Sequence, residues 1–335
     1  MAKRIGKSTV IFEKKPTIIG SGAVVGKKES EGPYGEYFDY VVTDSRFGEE
    51  SYEQAESKLQ KMAVGYAIEK AQLKANDIDT VCAGDLLNQC IGSSFGLKDY
   101  EIPLIGIYGA CSTFALATII TSFMIESGGI TNGVAVTSSH FCSAERQYRF
   151  PLEYGSQRTP NSQWTVTGSG AAVLSATGEG PYVAAATIGK IVDLGIIDQN
   201  NMGAAMAPAA GDTIKNFFAD TNTDEKDYDA IFTGDLGTVG SELLIELCEK
   251  EGVKLGERYN DFGCMIFDIA EQDVHAGASG CGCSATMMCS YIMEQFKKGN
   301  LKNILYCATG ALLSPTSVLQ GETIPGICHL VNIRC

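Results

Sequence analysis

The chain predicts an α/β fold made of two similar halves, and three observations carry that prediction. Asp77-Ile-Asp-Thr-Val-Cys-Ala-Gly-Asp-Leu86 recurs 150 positions later as Asp227-Tyr-Asp-Ala-Ile-Phe-Thr-Gly-Asp-Leu236, each copy an acidic entry, an apolar β-rich run and a closing Gly-Asp-Leu. At an offset of 170, Cys111 falls on Cys281. Each of these cysteines precedes a helical stretch closed by glycine (112–126 and 282–296) and then a strand pattern (133–138 and 303–309). Helix–strand–helix–strand order thus repeats, which divides the chain into pseudo-equivalent βαβ-type halves, 1–176 and 177–335.

Taken in order, residues 1–16 are basic but lack the apolar core of a signal peptide, so the chain is expected to be made in the cytoplasm. Ala55, Leu59, Met62, Ala63, Tyr66 and Ala67 recur at helical spacing and predict a helix over 51–73. The apolar run 102–108 leads into Gly106-Ile-Tyr-Gly-Ala-Cys-Ser-Thr113. This is a strand–turn–helix elbow with Cys111 at the helix N-terminus, where free N–H groups and the helix dipole stabilise a thiolate. Gly109 and Ala110 are small enough for the turn and for a ligand's approach. Cys111 is therefore expected to be accessible, with a lowered pKa, and more reactive than the other eleven cysteines. The following stretch, 114–125, is broken by Thr118, Thr121 and Ser122 and is shorter than the ~20 residues a spanning helix needs. In the second half, a helix is expected over 206–220, and 20 additional residues fall between Asp235 and Cys281.

A net charge of −14, spread along the chain, argues against nucleic acid or anionic lipid as a direct partner. The 12 cysteines lie mostly inside apolar stretches (Cys82, Cys248, Cys264, Cys307), as reduced buried thiols do. Cys281-Gly-Cys283 has no second pair or nearby histidine, so no metal site is expected.

Ligands of open α/β sheets bind beyond the C-terminal ends of strands, where Asp85, Asp235, Cys111, His140 and Thr309 all fall. His140 is a base, a hydrogen-bond donor to a ligand carboxylate, or a surface or capping histidine. Asp85 and Asp235 either line the pocket, bind a cation or cap helices. Arg146 and Arg149 either clamp a dicarboxylate or pair with Glu145 and Glu153. Ser112, Thr113 and Ser279 offer hydroxyls to an anion.

The whole arrangement resembles the thiolase and ketoacyl-synthase superfamily. Thr167-Gly-Ser-Gly-Ala-Ala-Val-Leu174 is similar to the glycine-rich strand that follows the nucleophile, and Gly277-Ala-Ser-Gly280 to the glycine loop near the second-half site. The resemblance implies a layered αβαβα structure. More narrowly, the chain resembles the stage V sporulation protein AD family of spore-forming Firmicutes. It does so through Gly84-Asp-Leu-Leu-Asn-Gln89, the Cys111 elbow and Ala144-Glu-Arg-Gln147 with Glu153-Tyr-Gly155. Trp164-Thr-Val-Thr-Gly-Ser-Gly170 and Ala308-Thr-Gly-Ala-Leu-Leu-Ser-Pro-Thr316 extend the match. That resemblance implies a homodimer that binds dipicolinic acid, with or without calcium, during its uptake into the developing spore and its release in germination. It also implies a peripheral position at the spore inner membrane, held by integral membrane proteins of the same operon.

Catalysis in the superfamily needs donors beside the thiol to hold a developing oxyanion. Counting from Asp227-Tyr-Asp229, the histidine of third-type ketoacyl synthases falls on Gly234, and their asparagine on Ala278. Val274 takes the thiolase histidine position, with His275 one residue out of register. The nucleophile is kept while its helpers are replaced, so a non-catalytic binding protein with a vestigial Cys111 is expected. The rival is an active acyltransferase or thioesterase using Cys111 with His140. Cys307 echoes the second thiolase cysteine but lacks the glycine run after it, and reads as a structural thiol.

Overall fold

A computed structural model of the chain describes residues 2–148 and 158–335. In the first half, strands β1 (Thr17–Gly26), β2 (Thr80–Asp85), β3 (Leu104–Gly106), β4 (Asn132–Ser139) and β5 (Gly168–Ser175) lie in the order β3-β2-β4-β5-β1. In the second, β6 (Tyr182–Thr187), β7 (Ala230–Thr233), β8 (Tyr259–Asp261), β9 (Asn303–Ala311) and β10 (Gly326–Arg334) repeat it as β8-β7-β9-β10-β6. Pairing repeats too. β2 is parallel to β3 and β4, as β7 is to β8 and β9. The remaining neighbours are antiparallel in both halves. The bridge Tyr182↔Thr17 joins the two sheets.

Helix α1 (Tyr52–Lys70) begins where Ser51 and Gln54 close a capping box, and its Ala55, Leu59, Ala63 and Ala67 pack on β1, β4 and β5. It is two to three residues shorter at its C-terminal end than its apolar period suggests, because Lys74 and Asp77 start a new turn. A short helix α2 (Ile91–Leu97) follows β2. Helix α3 (Thr113–Ser127) runs from the elbow to Gly128, whose φ of +78° stops it. By composition, 110–127 is apolar enough to cross a membrane, but α3 is packed against β2, β4, β9 and β10, between the two sheets. Helix α4 (Phe141–Tyr148) follows β4.

In the second half, α5 (Met202–Thr221), capped by the Asn201 side chain and ended by Asn222 at φ +55°, covers β9 and β10 together with α6 (Gly237–Lys250). Helix α7 (Cys281–Met287) continues through a π turn, Met288–Ile292, into Met293–Lys297. It lies beside α3 between the sheets, close enough to β5 that a Cβ on Gly170 would stand 2.2 Å from the Ala285 carbonyl oxygen. Helices outside, two sheets, and α3 with α7 between them give five layers, αβαβα. The largest apolar cluster fills the middle layer, around Phe114, Ile119, Cys283, Met287 and Tyr306.

Candidate functional site

The elbow forms as its sequence requires. Ala110 takes φ +49°, and the hydroxyls that follow hold the turn. Ser112 Oγ donates to the Gly109 carbonyl (2.6 Å), and Thr113 Oγ1 donates to that of Ala110 (2.6 Å) while accepting the Gly109 N–H (3.1 Å). Both hydroxyls serve the backbone, which corrects their assignment as ligand donors. Cys111 sits before the first turn of α3, yet its side chain is only 6% exposed. Burial pushes its thiol well above the usual value, and the neighbouring Asp235 charge adds to the rise. The expectation of an accessible, acidified thiol is thus corrected, because desolvation and a nearby carboxylate outweigh the helix N-terminus.

Asp235 follows β7 and turns toward the elbow. Its Oδ2 accepts the Ser279 hydroxyl (3.1 Å) and the Gly280 N–H (2.9 Å), and its Oδ1 accepts the Thr309 hydroxyl (2.9 Å). Ser279 Oγ stands 4.0 Å from Cys111 Sγ. Burial holds the Asp235 carboxyl at about 7, against hydrogen bonds from Cys111, Thr309 and Gly280 that favour its anion. Gly234 and Ala278 contribute no polar side-chain atom, so the group facing the thiol is an acid.

The cavity over Cys111 encloses about 40 Å³ and is lined by Leu86, Tyr108, Glu145, Tyr148 and Ser279 together with apolar side chains from 202, 311 and 313. Among the described residues no lysine or arginine lines it. Tyr148 Oη and Gln147 Nε2 each donate to the Leu86 carbonyl at 2.8 Å, so α4 and the turn after β2 form one wall.

Three further candidates point elsewhere. Asp85 accepts the N–H groups of Leu87 (2.9 Å) and Ser93 (2.7 Å) and the Ser93 hydroxyl (2.6 Å), capping the turn after its own strand. His140 is buried outside the cavity. Its Nδ1 accepts the Cys142 N–H (3.1 Å), so Nε2 carries the proton given to the Ser45 carbonyl (2.7 Å). That is a neutral capping histidine, further discharged by burial. Arg146 pairs with Glu53 on the surface. Arg149 and Glu153 lie outside the described residues. Cys307 is fully buried in the second outer core, as a structural thiol is.

Tyr108, Glu145 and Tyr148 were not singled out by the sequence as cavity residues. Tyr108 stands three residues before Cys111 on the way into the elbow, which is the signal that finds it. Glu145 and Tyr148 are three apart on α4 and so share a face, visible once α4 is known to border the site.

Comparison with solved structures places the chain in a fold class. It is similar to 3-oxoacyl-[acyl-carrier-protein] synthase III from Aquifex aeolicus VF5 over 96% of this chain and 100% of that one, at TM-score 0.58 and 15% identity. Cerulenin-bound OleA of Xanthomonas campestris matches over 97% of this chain and 98% of that one, at TM-score 0.61 and 11% identity. The fold is the layered, thiolase-like one. At the level of sequence, the family model for Stage V sporulation protein AD matches residues 6–334. Stage V sporulation protein AD of Bacillus subtilis (strain 168) is 43% identical over 327 residues, 98% of this chain and 96% of the relative. The chain belongs to the Stage V sporulation protein AD family and is a sporulation protein.

Proposed function

We propose that the chain is a non-catalytic binding protein that holds dipicolinate, as its calcium chelate, over Cys111, the cavity widening from its 40 Å³ to admit it, and so takes part in loading the compound into the developing spore and in its release in germination. The observation that carries this reading is the Asp235 carboxyl, one Ser279 hydroxyl away from Cys111 Sγ, while the positions of the superfamily's oxyanion donors hold Gly234 and Ala278. Above about pH 7, where Asp235 is ionised, a thiolate beside it is disfavoured and an oxyanion there meets a negative charge instead of hydrogen-bond donors. The same charges select the form of the ligand. Dipicolinate is a dianion near neutrality, and the cavity offers Glu145 with Asp235 behind it and no lysine or arginine among its described lining residues. Arg146, engaged by Glu53, does not screen them. The 1:1 calcium chelate is neutral and leaves the ion with open positions that carboxylate and phenol oxygens fill.

Calorimetry on the purified protein tests this. Dipicolinate with calcium is expected to bind, dipicolinate in a chelator is not, and Asp235→Asn weakens the calcium-dependent binding. Equal binding with and without calcium overturns the chelate, and no binding with calcium up to millimolar ligand overturns the site.

Assembly as a homodimer fits the free edge of β3, which hydrogen-bonds only β2 among the described strands and carries exposed Leu104 with Phe95 and Tyr108 nearby in sequence. Attachment to the spore inner membrane through integral membrane partners completes the reading, since a chain of charge −14 is repelled by anionic lipid.

A further inference from the structure

Two buried carboxyls that the site does not use are joined by a continuous chain of hydrogen bonds. Glu56 of α1 is 1% exposed and accepts the hydroxyls of Ser138 (3.1 Å, β4) and Ser143 (2.8 Å, α4). Ser138 Oγ in turn accepts from Gln60 Nε2 (3.2 Å), which also donates to Ser93 Oγ (3.1 Å), and Ser93 Oγ donates to Asp85 (2.6 Å). Gln60 is itself fully buried, and its Oε1 has no donor among the described residues.

The segment that Asp85 anchors is strained. Gln89 (φ +58°) and Cys90 (φ +52°) both take the left-handed conformation that costs a non-glycine residue energy, immediately before α2. The Asp85 carboxylate holds both sides of this pair through the Leu87 and Ser93 N–H groups, alongside bonds from the Cys90 thiol to the Ile107 carbonyl and from the Ser94 hydroxyl to the Cys90 carbonyl. The same segment supplies Leu86 to the cavity wall, and Glu56 pins the other wall through Ser143 of α4.

We infer that Glu56 keeps its proton beside an ionised Asp85 and that the two acids form a pH-sensitive latch on the 86–93 segment, closing the Cys111 cavity while Glu56 is neutral and loosening it when Glu56 ionises. Among the described residues, the cations nearest the pair are committed to other acids: on α1, Lys58 pairs with Glu49, Lys61 with Asp99 and Lys70 with Asp39, and the packed spans of β1, β5 and α2 carry no charged side chain. α1 contributes Glu56, β2 Asp85 and the turn Cys90. β4 contributes only Ser138, and α4 brings Glu145, with Arg146 turned to Glu53. α7 brings Cys281, a neutral thiol that burial and the two acids push up and that donates to the Ser138 carbonyl (2.9 Å). Burial first and Asp85 second raise the Glu56 carboxyl to about 8, so the second charge arrives near that pH. Glu56 is fixed on a 19-residue helix, whereas Asp85 ends a strand and holds a strained turn, so repulsion is relieved by movement of the turn.

The consequence for ligand access rests on the binding site proposed above, but the test needs no ligand. Hydrogen exchange of the intact protein is followed between pH 6 and 9.5, with rates corrected for the intrinsic pH dependence of exchange. Protection of the Leu87 and Ser93 amides is expected to fall at least tenfold between pH 7 and 9, while the β5 amides stay protected. Glu56→Gln, which keeps the shape and removes the charge, should abolish the fall. Ser138→Ala removes a donor that stabilises the Glu56 anion and should move the midpoint to higher pH. An unchanged profile in Glu56→Gln, or wild-type protection that does not respond to pH, overturns the latch. If Glu56→Gln does not fold, an unmoved midpoint in Ser138→Ala does so.

Discussion

Replacing Asp235 by asparagine separates the two influences on Cys111, because it removes the charge and leaves the burial. The carboxylate and the sulfur share Ser279 as a neighbour, 3.1 Å from one and 4.0 Å from the other, which sets them no more than about 7 Å apart. At that outer limit and an effective dielectric constant near 20, two unit charges repel by about 2 kcal/mol, and the hydrogen bond between Cys111 and Asp235 makes this a minimum. That corresponds to roughly 1.5 units of thiol pKa. Thiolate abundance therefore rises by more than tenfold, and the lower basicity of the new thiolate gives back about half of that exponent. The net expectation is a gain of about five- to tenfold in the alkylation rate of Cys111 at pH 8.5, where Asp235 is ionised. Brief iodoacetamide labelling with peptide mass spectrometry reads it, and the exposed Cys335 serves as internal standard. Cys335 should be labelled before Cys111 in both proteins. A Cys111 rate within twofold of wild type, with Cys335 unchanged, would show that desolvation alone sets the thiol and that the acid is electrostatically remote.

Other outcomes follow from the same charges. Condensation of acetyl and malonyl thioesters should be undetectable, since each missing oxyanion donor costs on the order of 10²–10³ in rate; turnover lost in Cys111→Ser would restore the acyltransferase reading. Stability should fall as pH rises through the neutral range. Glu29 and Asp235 near 7 and Glu56 near 8 all titrate above their ordinary carboxyl values because they are buried. The folded chain thus holds protons that the unfolded chain has released between about pH 4.5 and 8, and stability declines across that window by up to ~1.4 kcal/mol per pH unit for each such group. Urea midpoints at pH 5.5 and 8.5 check the sign, and a higher midpoint at pH 8.5 would contradict it.

The architecture was legible because it is written twice. The Gly-Asp-Leu strand ends and the two cysteine elbows lie at equivalent places in equivalent strand orders, and the periodicities of α1 and α3 report the faces they bury. The cavity's chemistry was less legible. A helix N-terminus is visible in a sequence, but the depth at which it ends is not. The elbow pattern therefore predicts an acidified Cys111, whereas burial and Asp235 raise it. Hydroxyls beside an elbow read as ligand donors until the backbone they serve is seen, as for Ser112 and Thr113. Glu56 lies on the apolar side of α1, between Ala55 and Leu59, and a charged residue on such a face is the sequence signal for a buried acid.

The pseudo-symmetry also accounts for how the acid came to face the thiol. Asp85, the last residue of β2, and Asp235, two residues past β7, match in the two copies, yet only the first caps the turn that follows its strand. In the second half that task falls to Asp261 at the end of β8, whose carboxylate accepts the N–H groups of Leu236 and Gly237 (2.9 Å each) and of Cys264 (3.1 Å). Thr233 donates to it as well, at 2.7 Å. With its turn already capped, Asp235 is released to cross toward Ser279, Gly280 and Thr309, and from there to the Cys111 elbow of the other half. Among the described residues of the first half no such substitute caps the turn, so Asp85 stays with it and meets Glu56 instead. One duplicated aspartate thus yields two devices: an acid that disarms the nucleophile, and an acid pair beneath the wall of the same cavity.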